Sequence, residues 1–216
     1  MSVISKKKEL AGRIILGTTI VCTSYAVVRY NVAGDVPWKD LPVFIFNKGI
    51  SLSSFVFLAL CFCLGPLRNL GFRISGRLLE SRKSLGLTGL IYSFAHFALS
   101  MSILNPVYFA LFYEENGTLS LRGGFCLLGG VIGLVILWVY YNSFKVNAKK
   151  MCELLKIISS KRIIISIFFL IGIHLFFLGY SGWTSIDKWQ AGLPPISLIS
   201  FVICCTGFLI NLAGRR

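Results

Sequence analysis

Residues 163–183 read IIISIFFLIGIHLFFLGYSGW, a stretch with no Asp, Glu, Lys or Arg and with one histidine, His174. A helix needs about 20 mostly apolar residues to cross the hydrocarbon core of a bilayer. This stretch therefore predicts a membrane-spanning helix. Five other windows meet the length approximately, and the six predicted spans are Arg13–Val32, Val43–Leu67, Leu85–Leu104, Gly123–Phe144, Ile163–Trp183 and Ile196–Ala213.

The composition agrees with lipid as the main solvent. The 216 residues are 56% hydrophobic and 14% charged, whereas soluble domains carry roughly 45–50% apolar and about 25% charged residues. So much apolar surface excludes intrinsic disorder. It also argues against a cytosolic enzyme and a soluble nucleic-acid binder, and no nucleic-acid-binding motif is present. We expect an all-α integral membrane protein, a single six-helix domain over residues 1–216 that contacts the lipid bilayer.

The basic residues predict the orientation of the spans. The 22 Lys and Arg residues exceed the 8 Asp and Glu residues and give a formal net charge of +14. If the N-terminus is cytoplasmic, the inner segments hold the whole of this excess, while the outer segments are neutral. Positive residues favour the cytoplasmic side, so we expect both termini to be cytoplasmic. In a bacterium this would place the protein in the inner membrane as a multi-pass protein.

The chain has two histidines, His96 and His174, and both lie inside predicted spans. Each is 11 residues past the predicted inner start of its span, Leu85 or Ile163. At a rise of about 1.5 Å per residue, both imidazoles lie about 16 Å into the membrane, near its midplane. The sequence therefore predicts two histidines at one depth, as the axial ligands of a single metal centre require.

Two imidazoles on facing helices suit haem iron. Zinc requires further ligands, and no Asp or Glu lies inside a predicted span. The seven cysteines form no Cys-x-x-Cys motif, and the six that lie in predicted spans are interpreted as small apolar residues. For each histidine alone, the alternative is an interhelical hydrogen bond to Ser, Thr or a backbone carbonyl.

Three cationic residues lie near the outer ends of predicted spans: Arg29, Lys48 and Arg122. Each is a candidate to pair with a haem propionate through a charge-assisted hydrogen bond. Arg29 with Tyr25 is the preferred pair because it lies deepest in its span. The alternative is that each cationic side chain extends to the lipid headgroups.

The segment Arg82-Lys83-Ser84-Leu85-Gly86-Leu87, leading through Tyr92 to His96, resembles the Arg-Arg-x-Leu-Gly-Leu stretch of the ferric-reductase-like transmembrane family. Ile173-His174-Leu175, which runs to Gly182-Trp183, is similar to the family's last histidine on span five. The likeness is to the branch that includes the haem-bearing subunit of the periplasmic methionine sulfoxide reductase system. Members with two stacked haems carry a second histidine on each ligand helix, nearer the cytoplasm, and Arg82 and Lys161 lie near those positions here. The resemblance therefore implies one haem b, the outer of the usual pair, with His96 and His174 as its ligands.

These observations predict a cytochrome of b type that transfers electrons, and hence a possible oxidoreductase subunit. The electron donor would be a quinol or a partner protein, and the acceptor a protein or a ferric species on the outer side. The basic inner loops could dock an acidic redox partner. The favoured interpretation is that these basic residues set the topology of the protein and bind anionic lipid. Two other hypotheses stay open: a small transporter or channel whose histidines pass protons or metal ions, and a haemless membrane scaffold.

Overall fold

The computed structural model describes residues 3–143 and 161–214, which form six long helices. These are α1 (Val3–Val27), α2 (Phe46–Asn69), α3 (Gly76–Ser102), α4 (Leu121–Ser143), α5 (Lys161–Trp183) and α6 (Ile196–Ala213). Each is long and apolar enough to cross a membrane. No β-strand forms in the described ranges. The prediction of an all-helical protein with six candidate spans is confirmed.

Several helices are longer than the apolar windows predict. Helix α3 begins at Gly76, nine residues before Leu85. Its first turns carry Arg77, Arg82 and other polar side chains, which end a hydropathy window although they do not end a helix. The start is fixed by Ser75, whose hydroxyl accepts a hydrogen bond from the backbone N–H of Leu78 at 3.3 Å. Short π-helical turns extend α1 to Val32 and precede α2 from Leu41.

The helices alternate in direction, so their connections lie at two ends of the bundle. We call the end with residues 33–40, 103–120 and 184–195 the Trp38 end, and the end with residues 70–75 the Arg73 end. Contacts across the bundle agree with this division. Tyr108 donates a hydrogen bond to Asp40 at the Trp38 end, and Asn69 donates one to the Gly214 carbonyl at the Arg73 end.

Helix α2 is the most buried of the six and packs against α1, α3 and α6. On the other side of the bundle, α4 packs on α5, and α5 packs on α6. The centre is filled by Phe168, whose ring makes edge-to-face contacts with Phe55 and Phe62 at centroid distances of 6.3 and 6.0 Å. Because lipid is as apolar as these side chains, such close van der Waals packing holds the helices together. Helices α3 and α4 touch at few positions, which leaves a gap between the two sides of the bundle.

Part of the predicted topology lies outside the described residues. This applies to the predicted end of the fourth span at Phe144 and to the basic residues Lys145, Lys149, Lys150, Lys156, Arg215 and Arg216.

Candidate functional site

The structure brings His96 of α3 and His174 of α5 together. Their ring centroids are 6.5 Å apart, with the ring planes at 78°. The two side chains therefore lie at one level of the bundle. His96 is 20 residues past the start of α3 and six before its end, whereas His174 lies two residues past the middle of α5. The midplane position counts from Leu85 and Ile163, where the apolar windows begin, and it stays a prediction.

Asn47, the second residue of α2, holds the His96 ring. The His96 Nδ1 lies 2.6 Å from Asn47 Oδ1, and Asn47 Nδ2 donates to Ser100 Oγ at 3.0 Å. An amide oxygen only accepts hydrogen bonds, so His96 Nδ1 carries the proton and donates it. Asn47 is 3% exposed, and it is not among the site residues predicted from the sequence. An asparagine in an apolar helix was the available signal, because such residues form interhelical hydrogen bonds.

Helix α4 holds the His174 ring in the same way, through its backbone. His174 Nδ1 lies 2.9 Å from the Cys126 carbonyl oxygen, which is also an acceptor. The Cys126 thiol lies 3.4 Å from the same nitrogen. One turn further along α4, a Cβ atom on Gly130 would lie 2.8 Å from His174 Nδ1. The absence of a side chain at Gly130 therefore lets the ring lie against α4.

These contacts determine the tautomer of both neutral imidazoles. With each Nδ1 protonated, each Nε2 keeps a free lone pair, and no described residue donates a hydrogen bond to either Nε2. Metal-binding histidines have this arrangement, in which the second ring nitrogen donates to a carbonyl or carboxylate and fixes the ring.

A cavity of about 580 Å³ lies between α3 on one side and α4 and α5 on the other, and both histidines line it. Its size falls within the range of roughly 300–1,000 Å³ that is typical of ligand sites. The cavity reaches Leu58 on α2 and Leu137 on α4, each 11 residues beyond the histidine anchors Asn47 and Cys126. At about 1.5 Å per residue, it extends roughly 16 Å from the histidine level toward the Arg73 end. That portion has mainly apolar walls.

Lys48 lines the cavity near the Trp38 end. Its ammonium nitrogen lies 4.9 Å from the ring centroid of Phe44, 5.7 Å from that of Phe109 and 6.0 Å from that of Tyr30. In the described part of the chain, no carboxylate lies within ion-pair distance of it. Aromatic faces stabilise a cation only partly, so Lys48 offers an unpaired positive charge to an anionic group in the cavity.

Arg122 also lines the cavity, but its guanidinium is engaged. Nε donates to the Phe177 carbonyl at 2.7 Å, Nη1 to Ser181 Oγ at 3.0 Å and Nη2 to the Leu178 carbonyl at 3.3 Å. These are acceptors in the last turns of α5, where a cation is favourable. Arg122 thus joins α4 to the end of α5 and contributes positive charge to the cavity wall.

Arg29 and Tyr25 lie elsewhere. Arg29 is 5% exposed, and its Nε donates to the carbonyls of Leu193 and Pro194 at 3.1 and 3.0 Å. The Tyr25 hydroxyl donates to the same Pro194 carbonyl at 2.6 Å. Neither residue lines the cavity. Together they fix the segment that leads into α6. Of the three cationic residues predicted from the sequence, Lys48 and Arg122 line the cavity.

The donor set distinguishes between metal centres. Within the described ranges, no group of three or more His, Cys, Asp or Glu side chains is placed to hold a metal ion. Two imidazole nitrogens do not complete the shell of a protein-bound zinc ion, whereas they supply both axial ligands of a haem iron. A metal–nitrogen bond of about 2.0 Å on each side places the centres of two opposed imidazoles roughly 6 Å apart. The observed distance of 6.5 Å between the ring centroids is near this value, so the number of imidazole ligands and the spacing of their rings suit a haem.

The structure also locates Arg82, which the resemblance stated above aligns with the second histidine of the two-haem members of that family. Its Nε donates to the Cys61 carbonyl at 2.7 Å, and a guanidinium offers iron no ligand. No protein-family model matches the sequence, and no curated protein matches it either.

Proposed function

We propose that this protein is a membrane cytochrome of b type, which carries one haem between His96 and His174 and transfers electrons. The observation that carries the proposal is the pair of imidazoles 6.5 Å apart, each with Nδ1 bound to a fixed acceptor. Bound haem supplies one-electron chemistry between ferric and ferrous iron. The protein contributes two ligands with fixed tautomers, a cavity with apolar walls and a cationic end.

The charges of the cavity agree with an amphipathic macrocycle. Its portion toward the Arg73 end is mainly apolar, whereas Lys48 and Arg122 lie toward the Trp38 end. The propionates of a haem would be favoured beside Lys48, whose charge no described carboxylate neutralises. His96 and His174 would then hold the ring, and Lys48 would set which edge faces the Trp38 end.

The charge distribution supports a cytoplasmic location for the Arg73 end and both termini. Arg68, Arg73, Arg77 and Lys83 lie near that end, as expected for the positive side. The Trp38 end would then face outward, and electrons would pass from a quinol or a partner protein to an acceptor there. A C-terminal green fluorescent protein fusion should fluoresce in a bacterial host, and an alkaline phosphatase fusion at Asn116 should be active. The reverse result would overturn this orientation.

Absorption spectra test the function. The purified protein, expressed with haem supplied, should show a sharp α band on reduction with dithionite, as expected of two imidazole ligands. His96→Ala and His174→Ala should each abolish that band. Asn211→Leu is a suitable control, since Asn211 is buried in α6 but hydrogen-bonds to Gly207 rather than to either histidine. A folded, colourless wild-type protein would refute the proposal.

A further inference from the structure

The two histidine anchors differ in kind. His174 donates to the backbone carbonyl of Cys126, which stays in place whatever side chain residue 126 carries. His96 donates to a side chain, that of Asn47. The His96 contact is also the shorter, at 2.6 Å against 2.9 Å. Asn47 comes from α2, a helix that carries neither histidine. The group that binds the His96 imidazole is therefore a replaceable side chain on a third helix.

Ser100 fixes the direction of the Asn47 amide. It lies one turn beyond His96 on α3 and accepts a hydrogen bond from Asn47 Nδ2 at 3.0 Å. With its NH₂ group held by Ser100, the amide presents its oxygen to His96 Nδ1. Ser100 Oγ is 3.4 Å from the same Nδ1, which is a longer contact than that of Asn47. The chain Ser100–Asn47–His96 thus selects one tautomer of the imidazole and one orientation of its ring.

We infer that Asn47 is the positioning residue that tunes the redox centre, acting through His96, with Ser100 orienting it. This inference rests on the proposed function. A strong acceptor at Nδ1 raises the basicity of Nε2, and a more basic ligand stabilises ferric iron over ferrous iron. Asn47 therefore lowers the reduction potential relative to the same site without it, and it increases haem affinity.

The full-length protein in detergent tests this with three variants. Asn47→Leu keeps the side-chain volume and removes the acceptor, so the midpoint potential should rise and haem affinity should fall roughly 10- to 100-fold, the usual effect of losing such a partner. Asn47→Asp supplies a stronger acceptor and should lower the potential. Ser100→Ala should shift it in the same direction as Asn47→Leu, but less. Asn211→Leu, the buried asparagine distant from the histidines, should leave the potential unchanged.

A second measurement separates this inference from the haem proposal. Nitrogen NMR of the haem-free protein, with labelled histidine, should show His96 protonated at Nδ1 in the wild type, and Asn47→Leu should remove that preference. If the wild type shows this tautomer but binds no haem, the hydrogen bond between His96 and Asn47 is confirmed. The tuning role and the proposed function are then both refuted. A wild type with two histidine ligands whose potential and affinity do not change in Asn47→Leu would overturn the inference alone. If Asn47→Leu does not fold, Ser100→Ala and Asn47→Asp serve as the test. A midpoint potential that is unchanged in both of these variants would contradict the tuning role of Asn47.

Discussion

The imidazole rings of His96 and His174 lie 6.5 Å apart although their helices, α3 and α5, lie on opposite sides of a cavity. Each ring is held by a helix other than its own: α2 through Asn47 and α4 through the Cys126 carbonyl. The spacing therefore depends on four helices. Changes in α2 or α4 should affect the pair without touching either histidine.

Gly130→Ala is the most direct test of the α4 contact. The new Cβ would lie 2.8 Å from His174 Nδ1 and 3.2 Å from its Cε1, so the ring must move away from the Cys126 carbonyl. We expect haem affinity to fall roughly 10- to 100-fold, as for other losses of a ligand's hydrogen-bond partner. Titration of haem into the purified protein measures this. Gly124→Ala on the same helix is the control, because a Cβ there meets nothing within 4 Å. Equal affinities in the two variants would contradict the placement of His174.

Lys48→Met removes the unpaired cation of the cavity and keeps an unbranched side chain. A charge-assisted hydrogen bond contributes about 1.5–3 kcal/mol, so affinity for haem should fall roughly tenfold to hundredfold. Haem dimethyl ester, which has no carboxylates, should bind wild type and variant alike. Lys39→Gln, at an exposed position of the Trp38 end, should change neither affinity. A loss of equal size for haem and its ester would show that Lys48 acts by packing rather than by charge.

Tyr108→Phe should reveal a pH-dependent contribution to stability. The Tyr108 hydroxyl donates to Asp40 Oδ1 at 2.9 Å, and this hydrogen bond to a carboxylate raises the pKa of Tyr108 above its ordinary value of 10.0. Because the folded state favours the protonated phenol, the stabilisation is fully present below about pH 10 and is lost as the pH rises through the native pKa. The Tm difference between wild type and Tyr108→Phe should be constant from pH 7 to 9 and should shrink at higher pH. The phenylalanine ring retains the stacking on Phe44, so a difference that persists unchanged through pH 11 would contradict the hydrogen bond.

The six helices could be predicted from the sequence because lipid imposes a length and an apolarity that a window of residues records. The start of α3 could not be predicted in this way, because Arg77 and Arg82 are compatible with a helix but not with a hydrophobic window. The closeness of His96 and His174 was anticipated from equal distances to Leu85 and Ile163. Neither residue is the start of its helix, since α3 begins at Gly76 and α5 at Lys161. The hydrogen bonds to α2 and α4, which the sequence does not reveal, hold the two rings at this distance.

The cationic residues illustrate a second limit of the sequence. Arg29, Lys48 and Arg122 are alike as charges near the same ends of their spans, and hydropathy does not distinguish them. They differ in the acceptors that surround them. Carbonyls at Leu193 and Pro194 bind Arg29, carbonyls at the end of α5 bind Arg122, and the ammonium group of Lys48 lies over aromatic rings. Such partners come from distant segments and follow only from the packing of the helices.

Gly49→Ala tests the packing that places Asn47 and Lys48. A Cβ at Gly49 would lie 2.8 Å from the Thr23 Cα and Oγ1, and a backbone atom cannot move aside as a flexible side chain does. Helices α1 and α2 would have to separate, at a cost of about 1–3 kcal/mol for an overpacked contact. We expect a lower Tm and, because Asn47 moves with α2, weaker haem binding. Gly17→Ala on α1, where a Cβ meets nothing within 4 Å, should not lower the Tm. A Gly49→Ala protein as stable as wild type would show that α1 and α2 are not in close contact at this position.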